Sequence, residues 1–401
     1  MFSRLRPLLK SATRALGVDI NRHRPEFPPG VVTLRTDGTP RGIVLLAYIL
    51  EPFQRQQGKP VSTSHTHHGE SVLIAETWLK HGYGVDVIDY RNHEFIPRKR
   101  YDFFVSARTH FETIAARLNP DCVKIAHLDT SHYASNNHAS YTRLLDLQRR
   151  RNLSLPCSAR FVEPNLAIER AHYGIALGNE VTLDSYRYAN KPLFPLVVPT
   201  AFNIPWDADK NFHECRNRFL WFGSGGLVHK GLDLTLEAFA GMPEMHLTVC
   251  GPIEVEKEFE HTYYKELHQT TNIRTVGWVD VGGADFRQIA RNTVGIIYPS
   301  CAEGQAGAVV TCLSAGFIPI ISRESGVPVD DFGLLLNGCT VEDIQSAARY
   351  VAALPAEELA VRAHRAWEYA ATHHSHDAYR EAYDKIVQKI IADTAKRSVT
   401  S

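Results

Sequence analysis

Apolar residues follow two rhythms along this chain, and the two rhythms alternate. Short runs of apolar, mostly β-branched residues predict buried strands, whereas apolar residues spaced three and four apart between those runs predict amphipathic helices. Such alternation predicts a parallel sheet with helices on both faces, the doubly wound α/β class. In the first half, the predicted strands and helices lie at 43–50, 70–80, 85–90, 103–106, 111–118, 123–126, 174–177 and 196–198.

A second series of the same kind begins at residue 219. Two successive doubly wound series predict two Rossmann-like domains that face each other across a cleft, where nucleotide-linked substrates usually bind. The predicted elements of this half lie at 219–222, 232–239, 246–250, 263–270, 273–276, 285–292, 294–298 and 318–321.

The domain boundaries follow from breaks in these series. The stretch 201–218 mixes Pro, Asn, Asp, His and charged residues without a clear period, so it is predicted to link domains at 31–200 and 219–375. A last helix with an apolar face, followed by a short tail, occupies 376–401.

Residues 1–30 form an extension ahead of the first domain. Within it, residues 1–16 place apolar side chains at helical spacing with arginine and lysine between them, which predicts a basic amphipathic helix. Two hypotheses fit this helix: peripheral docking on the anionic lipid headgroups of a membrane, or packing against the protein's own surface.

Composition narrows the class of protein. With 401 residues the chain is long enough for two domains, and its formal net charge of +0 argues against nucleic-acid binding by the chain as a whole. The 7 cysteines are scattered without a Cys-x-x-Cys pair, which favours reduced thiols and a cytoplasmic location. The longest apolar runs have the length of strands, so no membrane-spanning helix is predicted.

One stretch in the second half combines a buried strand with a loop suited to bind an anion. The run ending at Tyr298 is followed by Pro-Ser, a lone carboxylate at Glu303, two glycines and a small-residue helix. Gly304 and Gly307 leave the backbone open to a ligand near the start of that helix, where N–H groups can hold a phosphate. Glu303 is placed to accept hydrogen bonds from neutral hydroxyls. The predicted ligand is a phosphorylated small molecule.

A glycine-rich turn follows the predicted strand at 219–222. Gly223, Ser224 and Gly225 begin the turn, and Lys230 lies at the start of the next helix. Such a turn lets the backbone approach a pyrophosphate, and a lysine adds a compact positive charge. The glycines can equally serve the sterics of a strand-to-helix turn, and the lysine can equally be solvated.

Histidines mark two loops of the first half. His127 follows a short predicted strand at the carboxyl edge of the sheet, where it either faces the cleft or bonds a neighbouring loop. His67, His68 and Gly69 lie between the first strand and the first helix. A zinc site is not expected there, because the sequence offers no further ligands at suitable spacing.

The stretch after Tyr298 resembles the donor-sugar signature of retaining glycosyltransferases with the GT-B fold: Pro-Ser, two residues, Glu-Gly, and a helix ending in Ala-Gly-x-x-Pro. In that family the first acidic residue of a Glu-x7-Glu motif binds sugar hydroxyls and the second binds the nucleotide ribose. Glu303 matches the first, whereas Thr311 replaces the second with a neutral hydroxyl.

The glycine-rich turn carries the resemblance further. The family has Gly-Arg, a short spacer and then Lys-Gly, with both cations binding the donor diphosphate. Lys230 matches the lysine, but Ser224 stands at the arginine position. One cationic contact is therefore missing, and His229 is a candidate to compensate for it.

This resemblance implies a GT-B fold whose last helix crosses back to the first domain. It implies transfer of a sugar from a nucleotide-diphosphate sugar to an acceptor hydroxyl in glycan or polysaccharide biosynthesis. The anomeric configuration would be retained, without a cofactor or an obligatory metal, and the acceptor would be a saccharide or a lipid-linked saccharide. Two kinds of alternative share the architecture: a sugar epimerase or phosphorylase, and a nucleotide-sugar-binding pseudoenzyme or assembly subunit.

The resemblance also assigns roles to residues. His127 would contact the donor sugar beside the reacting carbon, and Glu303 is the other catalytic candidate. Gly69 would frame the donor phosphate, with His67 or His68 touching the acceptor. The predicted donor-binding residues are Gly223, Ser224, Gly225, Lys230, Gly304, Gln305, Ala306, Gly307 and Thr311.

Overall fold

The computed structural model of the chain describes residues 30–54, 66–156, 160–200 and 204–400. Within these residues the chain forms two α/β units, each built on one sheet. None of the helices described is both long and apolar enough to cross a lipid bilayer. The predicted helix at 1–16 lies outside the described residues, so its contact with lipid stays a prediction.

The first sheet has seven strands. In chain order they are β1 (Val32–Leu34), β2 (Ile43–Tyr48), β3 (Gly84–Asp89), β4 (Phe103–Ala107), β5 (Val123–Leu128), β6 (Tyr173–Leu177) and β7 (Leu193–Leu196). Across the sheet they lie in the order β1-β3-β2-β4-β5-β6-β7, all parallel except the edge strand β1, which runs antiparallel to β3. The central strands are apolar on both faces, as a sheet covered by helices on both sides requires.

The second sheet has six strands, all parallel. They are β8 (Arg218–Phe222), β9 (His246–Cys250), β10 (Ile273–Gly277), β11 (Gly295–Tyr298), β12 (Ile318–Ile321) and β13 (Leu334–Leu335). Their order across the sheet is β10-β9-β8-β11-β12-β13.

Helices connect the strands and cover both faces of the sheets. They are α1 (Thr66–Lys80), α2 (Phe111–Ala115), α3 (Tyr133–Arg151), α4 (Ala167–Arg170), α5 (Glu180–Tyr186), α6 (Phe212–Cys215), α7 (Leu232–Ala240), α8 (Lys257–Thr262), α9 (Tyr264–His268), α10 (Ala284–Arg291), α11 (Gly307–Leu313), α12 (Val341–Ala353), α13 (Ala356–His373) and α14 (His376–Thr400). Single 3-10 turns lie at Glu51–Gln54, Arg187–Ala189, Ile253–Val255 and Arg323–Ser325.

The strand order of each sheet fixes where a ligand can bind. The chain changes its direction of travel across the first sheet between β2 and β4, and across the second sheet between β8 and β11. Ligands of open parallel sheets bind beyond the carboxyl ends of the strands at such a switch point. In the second sheet, the loops that leave this point begin at Gly223 and Pro299.

Two helices cross between the units. The last helix, α14, places Tyr379 and Tyr383 in the core of the first sheet, as predicted for a helix that crosses back. Helix α3, which follows β5 of the first sheet, buries Leu147 in the core of the second sheet, and its Arg150 forms ion pairs with α7. A boundary at residue 200 therefore assigns α3 to the first domain although α3 packs on the second sheet.

The predicted strands at 246–250 and 318–321 coincide with β9 and β12, whereas β1 and β13 were not predicted because each is very short. The strand predicted at 196–198 lies earlier, as β7. Its Pro195 interrupts the apolar run, and a proline is tolerated there because β7 is an edge strand.

Candidate functional site

A cavity of about 410 Å³ lies where the carboxyl ends of the two sheets meet. One wall, the second-sheet wall, consists of the loops after β8, β9, β10 and β11 with the first turns of α11. The other, the first-half wall, consists of residues from the first half of the chain. A cavity of this size, lined by both halves of the chain, is suited to a small-molecule ligand. Its lining includes His67, Arg108, Asp129, Thr130, Arg160, Gly223, Ser224, Lys230, Trp278, Glu303, Gln305, Ala306, Gly307 and Thr311.

Glu303 and Lys230, both singled out by the sequence, lie side by side in the second-sheet wall. Lys230 Nζ lies 3.1 Å from Glu303 Oε1 and donates to the Tyr298 hydroxyl at 2.7 Å. That hydroxyl donates to Glu303 Oε1 at 2.9 Å, and Ser300 Oγ lies 3.2 Å from the same oxygen. The two residues meet because β8 and β11, whose loops carry them, are neighbours in the sheet.

Burial and charge act against each other at this pair. Burial raises the pKa of the Glu303 carboxyl, but the positive charges of Lys230 and Arg160 outweigh it and hold that pKa far below its usual range. Burial lowers the pKa of Lys230 to about 8, and the charge of Arg160 adds to the lowering. At pH 7 the pair is therefore an ionised carboxylate beside an ammonium group that loses its proton near pH 8.

Arg160 is a cavity cation that no sequence motif indicated. Its Nη2 lies 3.4 Å from Glu303 Oε2, opposite the oxygen that Lys230 contacts. The residue belongs to a polar stretch between β5 and β6 that has no hydrophobic period, so its position in the cavity could not be read from its neighbours in sequence.

Behind the first-half wall, the buried carboxylate of Glu70 is in hydrogen-bond contact with four side chains. Its Oε1 lies 3.0 Å from His127 Nε2 and accepts from the Tyr379 hydroxyl at 3.1 Å, while its Oε2 lies 2.6 Å from His67 Nδ1 and accepts from the Tyr48 hydroxyl at 2.9 Å.

The charges of this cluster shift the pKa of Glu70 at its centre and of His67 at its edge. Burial raises the pKa of Glu70, but His127 and His67 outweigh it and hold the pKa far below its usual value. Burial lowers the pKa of His67, yet the hydrogen bond and charge of Glu70 leave it raised overall. His67 thus brings a carboxylate-supported imidazole to the cavity lining.

His127 lies one layer deeper than the sequence predicts. Strand β5 continues to Leu128, so His127 is inside the strand, and Asp129 and Thr130 line the cavity instead. The ring of His127 is 1% exposed and packs edge-on against Tyr48, with ring centroids 5.1 Å apart. Its Nδ1 has no hydrogen-bond partner among the described residues.

His68 and Gly69 lie in the first turn of α1 and do not belong to the cavity lining. His68 Nε2 lies 3.6 Å from Glu51 Oε2. Gly69 faces the last helix, since a Cβ at this position would lie 3.6 Å from His376 Nε2. Of His67 and His68, it is His67 that lines the cavity, so the acceptor contact expected from the sequence is open to His67.

The glycine-rich turn is occupied in part by the protein itself. Gly223 and Ser224 line the cavity, whereas Gly225 does not. The carboxylate of Glu256 accepts hydrogen bonds from the amides that follow, including that of Leu227 at 3.2 Å. The carboxylate of Glu256 therefore occupies backbone amides of the turn that the sequence predicts to bind a pyrophosphate.

Gly304 and Gln305 attach the signature loop to the rest of the molecule. A Cβ on Gly304 would lie 2.4 Å from the carbonyl oxygen of Asp129, so a side chain cannot fit there. Gln305 borders the cavity, but its Oε1 accepts from the backbone N–H of Val198 at 2.6 Å and its Nε2 donates to the carbonyl of Gly326 at 3.0 Å. Both residues have structural roles that the sequence did not indicate.

The remaining donor-binding candidates follow directly. Ala306 and Gly307 line the cavity at the start of α11, and Thr311 lines it one turn later. The Thr311 hydroxyl donates to the carbonyl of Gly307 at 2.8 Å, within its own helix.

His229 does not supply the missing positive charge. Its Nδ1 lies 2.8 Å from Ser140 Oγ and its Nε2 bonds the carbonyl of Ala302. Burial lowers the pKa of His229 to about 4, so its ring is neutral at pH 7. Within the parts of the chain that the structure describes, no group of three or more His, Cys, Asp or Glu side chains could hold a metal ion.

Comparisons with known proteins find the architecture but no relative in sequence. Neither a protein-family profile nor a curated protein sequence matches this chain. Among solved structures, sucrose-phosphate synthase from Thermosynechococcus elongatus matches with a TM-score of 0.62 at 13% identity, over 88% of this chain and 99% of that one.

Two further structures match with their ligands bound. HepE from Anabaena in complex with UDP has a TM-score of 0.56 at 13% identity, over 88% of this chain and 100% of that one. TarM from S. aureus, in complex with Fondaparinux, alpha-GlcNAc-glycerol and UDP, has a TM-score of 0.51 at 11% identity, over 70% of this chain. The match spans about half of TarM, 54% of its length. With two facing doubly wound sheets and a last helix that crosses back, the chain has the GT-B fold that its signature stretch predicted.

Proposed function

We propose that this protein is a glycosyltransferase, which moves a sugar from a nucleotide-diphosphate sugar to an acceptor hydroxyl. The observation that carries the proposal is the position of Lys230 and Glu303, which lie 3.1 Å apart at the switch point of the second sheet, in a cavity whose other wall comes from the first half. A cation for a phosphate and a carboxylate for sugar hydroxyls are thus side by side.

The donor is proposed to bind the second-sheet wall. Lys230 and the first turn of α11 face the diphosphate, Glu303 accepts from the sugar hydroxyls, and Thr311 offers a neutral oxygen to the ribose. The structures of HepE and TarM with UDP support a nucleotide-diphosphate donor, because they share this fold.

The acceptor is proposed to enter against the first-half wall. His67, Arg108, Asp129 and Thr130 line that side of the cavity and can bond to the hydroxyls of a saccharide or of a lipid-linked saccharide. His67 takes the place beside the reacting carbon that the sequence assigned to His127, since His127 lies behind it.

In the reaction, the bond between the anomeric carbon and the donor phosphate oxygen breaks, and a bond from that carbon to the acceptor oxygen forms. The acceptor proton leaves with the diphosphate. Negative charge grows on the departing phosphate while the sugar becomes oxocarbenium-like, so fixed positive charge at Lys230 stabilises the transition state more than the ground state. No metal is needed in this scheme.

Retention of the anomeric configuration is the finer part of the proposal, and the match of Glu303 to the signature supports it. NMR of the product's anomeric proton tests it. Inversion would contradict retention and assign His67, held by Glu70 at 2.6 Å, as the base that removes the acceptor proton.

The general proposal is tested by a panel of nucleotide sugars, first by thermal shift and then by donor hydrolysis. A bound donor raises the melting temperature by mass action, and an active transferase releases some nucleoside diphosphate without an acceptor. Binding without release indicates a pseudoenzyme or assembly subunit, and conversion of the donor into a different nucleotide sugar indicates an epimerase. A panel without any binding overturns the proposal.

Donor affinity is expected to fall as pH rises above about 8. The diphosphate favours protonated Lys230, whose pKa of about 8 in the free protein means that binding takes up a proton above that pH. Titration calorimetry from pH 7 to 9.5 should show Kd rising by up to about tenfold per pH unit. Lys230→Arg keeps its charge and should flatten this rise, whereas His67→Gln should preserve it. A wild-type Kd that is constant over this range contradicts the assignment of Lys230.

Trp278→Ala is expected to weaken donor binding by about 5- to 150-fold, because a base stacked on an aromatic ring contributes about 1–3 kcal/mol. Trp278 is 63% exposed at the cavity edge, where a nucleobase can cover it. Calorimetry with the best donor of the panel measures the loss, and inorganic pyrophosphate should bind unchanged. Tyr350→Ala, an exposed aromatic residue remote from the cavity lining, is the control. Equal losses for donor and pyrophosphate would refute stacking.

A further inference from the structure

We propose that Arg160 is the second cation for the donor diphosphate, in place of the arginine that Ser224 replaces. This inference rests on the proposed function and adds the residue that distinguishes a diphosphate from a monophosphate. The cation would come from the connection between β5 and β6, not from the turn after β8.

The first support is the charge around Glu303. Lys230 approaches Glu303 Oε1 at 3.1 Å, and Arg160 approaches Oε2 at 3.4 Å. Two cations therefore approach the same carboxylate, one at each of its oxygens. Arg108 and Asp129, which line the cavity nearby, form an ion pair, and the carboxylate of Glu256 also acts on Lys230. A ligand with two linked phosphates can bond to both cations at once, and it does so better than a neutral ligand.

The second support is the way the Arg160 backbone is fixed. Asn136 Nδ2 donates to the carbonyl of Arg160 at 2.9 Å, and the side chain of Asn137 both donates to the carbonyl and accepts from the N–H of Val162, at 2.7 and 2.9 Å. Both asparagines belong to α3 and are buried. The segment is therefore attached to a helix and not to a free loop.

Helix α3 in turn is attached to the second-sheet loops. Arg143 Nη1 donates to the carbonyl of Pro299 at 2.9 Å, and Ser140 Oγ lies 2.8 Å from His229 Nδ1 in the glycine-rich turn. Arg160 thus keeps a fixed position relative to Lys230, although the two residues come from different halves of the sequence.

The third support is Gly226. Its φ is +90°, and a Cβ there would lie 2.3 Å from Arg160 Cγ. The missing side chain gives the Arg160 stem room to lie across the glycine-rich turn, two residues from Ser224. An arginine in this position can make paired hydrogen bonds to phosphate oxygens.

The experiment compares diphosphates with monophosphates. UDP, ADP and GDP, each beside its monophosphate, are titrated calorimetrically into the full chain. Arg160→Gln is expected to weaken the tightest diphosphate by about tenfold or more, since a charged hydrogen bond is lost, and to weaken its monophosphate by less than about threefold. Arg160→Lys should recover part of the difference. Arg108→Gln, on the same wall, should leave the diphosphate-to-monophosphate ratio unchanged.

The outcomes separate this inference from the proposed function. If the wild type binds a diphosphate but Arg160→Gln leaves the ratio unchanged, or lowers both affinities equally, the role of Arg160 is refuted and the proposed function stands. If the wild type binds none of the six nucleotides, the proposed function fails first. Melting curves check folding. Should Arg160→Gln not fold, Arg160→Lys decides, with a ratio reduced at least about threefold expected and an unchanged ratio refuting the role.

Discussion

Glu303→Gln is expected to lower kcat about 10²- to 10³-fold, the usual effect of removing one fixed electrostatic contact from a transition state. The amide keeps an oxygen for the hydroxyls of Tyr298 and Ser300, which donate to the carboxylate in the wild type. It loses the negative charge between Lys230 and Arg160 and the strong acceptor for sugar hydroxyls. Initial rates with the donor and acceptor identified by the panel measure the change.

The matched control is Glu254→Gln, the same substitution at an exposed position of the second half. It should leave kcat unchanged. The melting temperature of Glu303→Gln should move much less than its kcat, because the side-chain hydrogen bonds are largely kept. A kcat within about threefold of wild type would remove Glu303 from the proposed mechanism.

Gly326→Ala is expected to lower the free energy of unfolding by about 2–5 kcal/mol and to reduce activity as well. Gly326 has φ +76°, and a Cβ there would lie 2.0 Å from the carbonyl oxygen of Gly304. That carbonyl also accepts from Thr182 Oγ1 at 3.1 Å. The loop therefore cannot retreat without moving Glu303. Urea unfolding and donor turnover measure the two effects.

Gly38→Ala separates backbone strain from collision. Gly38 has φ +78°, nearly the angle of Gly326, but nothing lies within 4 Å of the Cβ it would gain. Strain alone should cost about 1–2 kcal/mol at Gly38, so the larger cost at Gly326 measures the collision. Equal costs at the two glycines would show that the close approach to Gly304 has no energetic consequence.

Hydrophobic period was enough to predict most of the fold. The buried strands β9 and β12 were located to the residue because each is an apolar run bounded by polar or glycine-containing turns. The sequence predicts a polar, helix-rich section only from residue 141 onwards, whereas α3 begins at Tyr133. Its first turns carry the buried asparagines Asn136 and Asn137 and so lack an apolar face. The spacing of apolar residues indicates where apolar side chains are buried, but it does not indicate where polar side chains are buried.

In the candidate site, too, some residues could be identified from the sequence and others could not. Lys230 and Glu303 could be singled out because each follows a predicted strand of one sheet, and neighbouring parallel strands end at one edge. The pairing of Arg160 with Glu303 joins residues 143 positions apart, and that of His127 with Glu70 joins residues 57 apart. Only the folded chain shows such contacts. Strand β5 extends two residues beyond its predicted end at residue 126, and this extension is enough to place His127 inside the strand and out of the cavity lining.

The contact between Tyr379 and Glu70 has a consequence for biosynthesis. Glu70 positions His67 at the cavity, yet one of its hydroxyl donors belongs to α14, 309 positions later in the chain. While α14 is still inside the ribosome, the second-sheet wall proposed to bind the sugar donor is already synthesised. The first-half wall proposed to bind the acceptor still lacks the Tyr379 hydroxyl that bonds to Glu70. Assembly of the proposed acceptor wall therefore requires α14, and ribosome-bound chains arrested before α14 should bind the donor without turning it over.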